Sequence, residues 1–191
     1  MKLMADVRAA DRQLTQQAAG RIPSGVGRLL SAVEETAESS KLWCGAALAM
    51  GAFGGQRGRR AAITGLTALS VAQLVSNGVG KQLVDRPRPP KEWIDHEEVE
   101  DRPASSSFPS GHTAAAVAFT AAVAPLWPLA AVACAVPAAL VALERVQSGA
   151  HYFTNVAAGA LIGLGGAPGS PAVSRRCCSA RPQAVLRLRV R

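Results

Sequence analysis

The sequence predicts an all-α, polytopic transmembrane helical bundle of about five spans, preceded by N-terminal amphipathic helices. Three observations carry that expectation. Residues 61–80 and 113–143 hold no Asp, Glu, Lys, Arg or His, and residues 146–174 hold only His151 of these. Runs of ~20 such residues are long enough, as helices, to cross a bilayer. The hydrophobic share is 49% but the aromatic share only 4%, so the apolar character comes from small and aliphatic side chains.

Charge collects at the ends of the apolar runs. The formal net charge is +8, with much of the excess in Arg57-Gly58-Arg59-Arg60 and in the tail residues Arg175, Arg176, Arg181, Arg187, Arg189 and Arg191. Flanking positive charge of this kind is the topological bias of membrane proteins. No nucleic-acid-binding motif accompanies it, so a nucleic-acid partner is not expected. Cys44 and Cys134 lie inside apolar runs and Cys177-Cys178 are adjacent, a pattern that gives neither a disulfide framework nor a zinc site.

Residues 1–39 mix polar and apolar side chains with partial helical periodicity at Leu29, Leu30, Val33 and Thr36, and read as one or two amphipathic helices on the membrane or on the bundle. Residues 42–56 are a marginal span of about 22 Å at 1.5 Å per residue, unless residues 39–41 extend it. Residues 61–80 are the cleanest span, with Gly65, Ser70, Ser76 and Gly78 as small residues suited to close helix approach. Residues 81–107 are polar and rich in proline, hence a loop outside the hydrocarbon. Residues 113–143 exceed one span and are broken by Pro125-Leu126-Trp127-Pro128, which predicts a helical hairpin; Pro137 is expected to kink its second arm. A last span is expected over about residues 152–166. Trp43 and Trp127 are expected at membrane interfaces. The domain plan is an amphipathic segment over 1–39, a membrane-embedded core over 40–166 and a basic, disordered tail over 167–191.

Three polar fragments punctuate this plan: Lys81-x6-Arg88-Pro89, Ser107-Phe108-Pro109-Ser110-Gly111-His112, and Arg145-x5-His151-x3-Asn155. Counting crossings places all three on one face of the membrane, opposite the Arg57–Arg60 stretch and the basic tail. Positive-inside bias then makes the shared face extracytoplasmic. The inventory suits phosphate. Arg88 and Arg145 present planar forks that bind phosphate oxygens in pairs, and Lys81 supplies a point charge. Ser110 can donate its hydroxyl, and Gly111 lets a backbone N–H approach at the positive end of a helix. Phosphate-ester hydrolysis needs chiefly positioning and charge stabilisation.

In order and spacing, the three fragments resemble the tripartite signature of the type-2 phosphatidic acid phosphatase superfamily, over roughly residues 40–166. The resemblance implies a metal-independent membrane phosphatase without a cofactor, acting on a lipid phosphate or diphosphate. The Ala-, Arg- and Gly-rich composition is similar to that of high-GC bacteria, where such proteins act on polyprenyl phosphates of cell-envelope synthesis. The family resemblance implies that His151 is the nucleophile, forming a phospho-histidine, and that His112 first protonates the leaving oxygen and then activates water.

One departure concerns Asn155, which stands where the family carries Asp. That Asp accepts the Nδ1–H of the nucleophilic histidine, and in a Ser-His-Asp triad the matching change costs roughly 10⁴ in rate. Asn155 is expected to take this place at the ring, without the charge. Phe153 replaces a usual Pro, and Glu144, in place of a usual Ser, is expected to pair with Arg145. A second reading therefore follows: a homologue that binds lipid phosphate, or assembles with partners, without turnover. A vanadate-dependent haloperoxidase shares the phosphate cage, but the uncharged spans argue against it. Gly78-Val79-Gly80-Lys81 lacks both the first glycine and the Ser/Thr of a P-loop, and Asp95-His96-Glu97-Glu98 reads as a solvated acidic loop.

Overall fold

The uncharged runs fold mainly as helices, and the longest of them is broken at residues 125–128. The computed structural model describes residues 2–19, 30, 32–33, 35–37, 40–93 and 105–167. The helices are α1 (Lys2–Ala19), α2 (Lys41–Phe53), α3 (Gly55–Gln73), α4 (Gly111–Val123), α5 (Pro128–Gln147) and α6 (Phe153–Gly166). Helix α3 runs on through a π-helical segment, Leu74–Gly80, and a last turn, Lys81–Leu83. No strand occurs among the described residues. The expected basic tail with Cys177-Cys178 and the acidic run 95–98 lie outside them, as do residues 20–29 of the N-terminal segment.

The hairpin expected over 113–143 forms as α4 and α5, with Pro128 in the first turn of α5, where its missing N–H costs nothing. Pro137 stands inside α5. The 42–56 run is not one span. It breaks after Phe53, because Gly55 takes φ +55°, a left-handed conformation open chiefly to glycine. Arg57, Gly58, Arg59 and Arg60 therefore belong to the first turns of α3. Two helices, Gly55–Leu83 and Pro128–Gln147, are long and apolar enough to cross a membrane. Three shorter apolar helices accompany them: α2 and α4 of 13 residues and α6 of 14. At 1.5 Å per residue each covers about 20 Å.

Helix α4 is the hub, packed against α3, α5 and α6. Its burial is nearly complete: Ala114, Ala116, Ala118, Phe119 and Val123 are all 0% exposed. Trp43 stacks against Phe119 at a ring-centroid distance of 5.2 Å, so it is a core residue and not the interfacial marker expected of it. The bundle turns large apolar side chains outward instead: Leu48, Phe53, Ile63, Leu74, Leu129, Val132, Val136 and Leu161 are exposed. An outward apolar shell around a core of small residues is what lipid permits, because hydrocarbon gives helices no hydrophobic reason to bury large side chains against one another. Of the four small residues singled out on the third helix, Gly65 and Ser76 are buried in contacts, whereas Ser70 and Gly78 face outward.

Helix α6 meets α4 across Gly159 and Gly163. A Cβ on Gly159 would overlap the Ser110 carbonyl oxygen, and one on Gly163 would stand 2.6 Å from that of Ala114. Gly159→Ala is therefore expected to force the two backbones apart and cost about 1–3 kcal/mol. Gly165, by contrast, faces open space. Gly165→Ala is expected to be neutral or to gain up to ~1 kcal/mol of helix propensity. Thermal unfolding of the two variants in detergent checks the difference.

Candidate active site

The ends of α3, α5 and the starts of α4 and α6 meet at one end of the bundle. At the end of α3, a Cβ on Gly80 would stand 2.7 Å from the Pro109 ring, so the absence of a side chain there lets Lys81 sit beside the Pro109-Ser110-Gly111 turn. Lys81 Nζ donates to Ser105 Oγ at 3.4 Å, and Arg88 Nη2 donates to the Ser105 carbonyl at 3.3 Å. Arg88 Nη1 donates to the carbonyl of Ala150, next to His151, at 2.8 Å.

At the end of α5, Gly149 adopts φ +60° and reverses the chain. Its N–H donates to the Val146 carbonyl, as in a Schellman terminus, and the His151 N–H reaches back to the Arg145 carbonyl at 2.9 Å. The five-residue interval between Arg145 and His151 is the length of this closure. Arg145 is buried and pairs through Nε with Glu144 Oε2, as the sequence led us to expect.

His151 is 4% exposed, and its Nδ1 lies 2.6 Å from the Ser107 carbonyl. A carbonyl only accepts, so Nδ1 carries the proton and Nε2 holds the lone pair. Burial pushes the ring from an ordinary pKa of 6.5 down to about 3; the bond to Ser107 opposes this, and the charges of Arg88, Arg145 and His112 add to it. These three side chains, with Lys81 beside Arg88, thus form one cationic cluster around a neutral imidazole.

Asn155 does not take the place at the ring that the sequence suggested. Its Oδ1 accepts from Arg86 Nη1 at 2.6 Å, and its Nδ2 donates to Ser107 Oγ at 3.1 Å. Arg86 can only donate, which fixes the amide orientation. The physical reason for the exchange is reach: the Ser107 carbonyl already fills the Nδ1 direction. Ser110 also differs from expectation. Its hydroxyl caps α4, accepting from the Thr113 N–H at 3.4 Å and sharing a bond with Thr113 Oγ1 at 2.9 Å, while its own N–H donates to the Asn155 carbonyl. At Gly111, the space a Cβ would occupy is taken by the Asn77 side chain, 2.8 Å away. His112 is half-buried at the start of α4, within electrostatic reach of His151.

Sequence reasoning placed Ser107 in the central fragment without a role and missed Arg86 and Asp11. Ser107 is fully buried and donates its N–H to the Arg86 carbonyl at 2.9 Å. Arg86 stacks over the Tyr152 ring at 4.3 Å and pairs with Asp11 of α1 at 2.6 Å. The one available signal was that Arg86 stands two residues before Arg88 in an otherwise mixed loop.

A family model for the PAP2 superfamily matches residues 61–176. The fold is similar to the crystal structure of the first transmembrane PAP2 type phosphatidylglycerolphosphate phosphatase from Bacillus subtilis. The two share 19% sequence identity and a TM-score of 0.65, over 94% of this chain and 90% of that one. No curated protein sequence matches the chain.

The depressed basicity of His151 has a consequence for stability. The unfolded ring takes its proton near pH 6.5 and the folded ring only near 3, so between those values the unfolded state binds more protons. This contribution is complete above about pH 6.5 and is lost as pH falls toward 3. The thermal midpoint in detergent is expected to drop between pH 7 and 4, and to drop less in His151→Gln. Equal slopes would mean that the ring is not held neutral.

Proposed function

The chain belongs to the PAP2 superfamily, and from that premise we propose that it is a multi-pass membrane phosphatase that hydrolyses a lipid phosphate. The observation that carries the reading is the His151 ring, tied at Nδ1 to Ser107 and ringed by Arg88, Arg145 and His112. Such a ring is a neutral nucleophile beside an anion site, the pairing that phosphoryl transfer needs.

In the proposed cycle, Lys81, Arg88 and Arg145 hold the phosphate oxygens, with the start of α4 at Ser110-Gly111 contributing its positive end. His151 Nε2 attacks phosphorus in line, forming a P–N bond as the P–O bond to the lipid breaks. Protonated His112 gives its proton to the leaving oxygen. A water, deprotonated by His112, then attacks phosphorus, the P–N bond breaks, inorganic phosphate leaves and the His151 lone pair is restored. The cycle needs no metal step.

The polyprenyl substrate and the extracytoplasmic site are part of the same proposal. Arg57, Arg59 and Arg60 lie at the start of α3, the end of the bundle away from the site, where Arg57 Nε donates to the Leu126 carbonyl. Positive charge at that end argues for its facing the cytoplasm. Asn155 favours turnover over the binder reading, because the ring is oriented by a backbone carbonyl and does not depend on a carboxylate at 155.

Purified protein in detergent, given a polyprenyl or phosphatidyl phosphate without added metal, is expected to release inorganic phosphate. His151→Ala is expected to remove at least about 10³-fold of the rate, and His112→Ala about 10²–10⁴-fold. Orthovanadate is expected to inhibit. Asn155→Asp is expected to stay within about tenfold of the wild type, far from the ~10⁴ of a triad whose ring depends on its carboxylate. Activity that appears only in Asn155→Asp would make the natural chain a binder, and silence with every lipid phosphate in both proteins would overturn the enzyme reading.

A further inference from the structure

A buried carboxylate outside the phosphate cluster is tied to it by an unbroken line of hydrogen bonds. Asp11, on α1, is 3% exposed. Its Oδ2 accepts from Arg86 Nη2 at 2.6 Å and from Thr154 Oγ1 at 2.6 Å, and its Oδ1 accepts from the Thr154 backbone N–H at 3.0 Å. Arg86 Nη1 then donates to Asn155 Oδ1, Asn155 Nδ2 donates to Ser107 Oγ, and the Ser107 carbonyl accepts from His151 Nδ1.

Helix α1 has few other means of attachment. Among its described side chains, those buried are Asp11, Thr15 and Ala19, while Val7 and Leu14 face outward. Between α1 and the site loops lies a cavity of about 880 Å³ whose walls include Arg8, Arg12, Arg86, Phe108 and Tyr152. Among the described side chains the helix is thus seated mainly by polar bonds, and Asp11 makes most of them.

We infer that Asp11 is a positioning residue for His151, acting through Arg86, Asn155 and Ser107, so that the N-terminal helix belongs to the catalytic apparatus. The inference rests on the phosphatase reading above for its kinetic consequence. The carboxylate holds the Arg86 guanidinium in place by a charge-assisted pair. The guanidinium, having only donors, turns the Asn155 amide so that its NH₂ faces Ser107. Ser107, fixed on that side, presents its carbonyl to the imidazole. Remove the charge on Asp11 and Arg86 loses its charged partner. The Asn155 amide then has no fixed sense, and the His151 ring loses its anchor.

The test compares Asp11→Asn, Asp11→Glu, Arg86→Lys and Asn155→Ala with Arg12→Ala, an exposed position on the same helix. Asp11→Asn is expected to lower kcat at least tenfold with KM within about twofold, Asp11→Glu to recover part of the loss, and Arg12→Ala to leave both unchanged. Arg86→Lys keeps a partner for Asp11 but cannot span to Asn155 as well, and is expected to lose kcat like Asp11→Asn with α1 still seated. In the double variant Asp11→Asn/Asn155→Ala, the combined loss is expected to match the larger single loss, as for two members of one line. Additive losses, or a fall in thermal midpoint with kcat intact, would overturn the inference. A readout independent of turnover is the Nδ1–H resonance of His151 in ¹⁵N-histidine-labelled protein, assigned among the chain's 3 histidines by His151→Gln. It is expected to move in Asp11→Asn and not in Arg12→Ala. An unmoved resonance sinks the positioning role whether or not the wild type releases phosphate, and a wild type that releases none sinks the phosphatase reading alone.

Discussion

Ser107 is the residue on which the site depends, because its polar atoms join all three signature fragments. Its N–H and hydroxyl donate to the carbonyls of Arg86 and Pro87, next to Arg88. Its hydroxyl oxygen accepts from Asn155, and its carbonyl accepts from His151. A side chain this small, fully buried and fully bonded, has no other rotamer available that keeps its partners satisfied. The cationic loop after α3, the turn before α4 and the loop after α5 are thereby held at fixed distances from one another. That is the preorganisation that phosphoryl transfer requires, since its barrier falls mainly through placed charge.

The bundle beneath the site explains how the placement survives in lipid. Hydrocarbon offers no hydrophobic gain for bringing helices together, so close packing of backbones must supply the cohesion. Helix α4 meets this with alanines buried on every side, and α6 meets it with Gly159 and Gly163. The Gly159 contact falls on the Ser110 carbonyl, one residue from the start of α4. Helix packing and site geometry are therefore one problem: the approach of α6 sets both the depth of the core and the place of His112, Asn155 and the α4 terminus.

Much of this was legible in the sequence, and the reasons differ by element. The hairpin of α4 and α5 was visible because absence of charge and a pair of prolines act locally. The meeting of Lys81, Arg88, His112, Arg145 and His151 was visible because each fragment stands at the end of an uncharged run. The bend at Gly54-Gly55 was hidden, since an uncharged run looks the same with or without a left-handed glycine inside it. The burial of Trp43 was hidden for a related reason: a tryptophan near a run end suits an interface or a core, and only Phe119 across the bundle decides. Asp11, Arg86 and the role of Ser107 within its fragment were illegible because each is an ordinary polar residue locally, and their roles arise from partners up to 143 residues away, as in the bond from Thr154 to Asp11.

Asn155 shows how one substitution in a signature is to be weighed by its neighbours. A carboxylate at 155 would face the Arg86 guanidinium from one side while Asp11 faces it from the other, and two carboxylates would then share one cation. With asparagine there, the negative charge stays on α1, and Arg86 remains a donor to a neutral oxygen at one end and an ion-pair partner at the other. The amide adds what a carboxylate lacks: a donor aimed at Ser107, which leaves the Ser107 hydroxyl hydrogen for the carbonyls of Arg86 and Pro87. An aspartate would claim that hydrogen for itself and loosen the loop before Arg88. Within this particular arrangement, asparagine satisfies every neighbour, and the substitution is coherent with an N-terminal helix that carries the charge in its place.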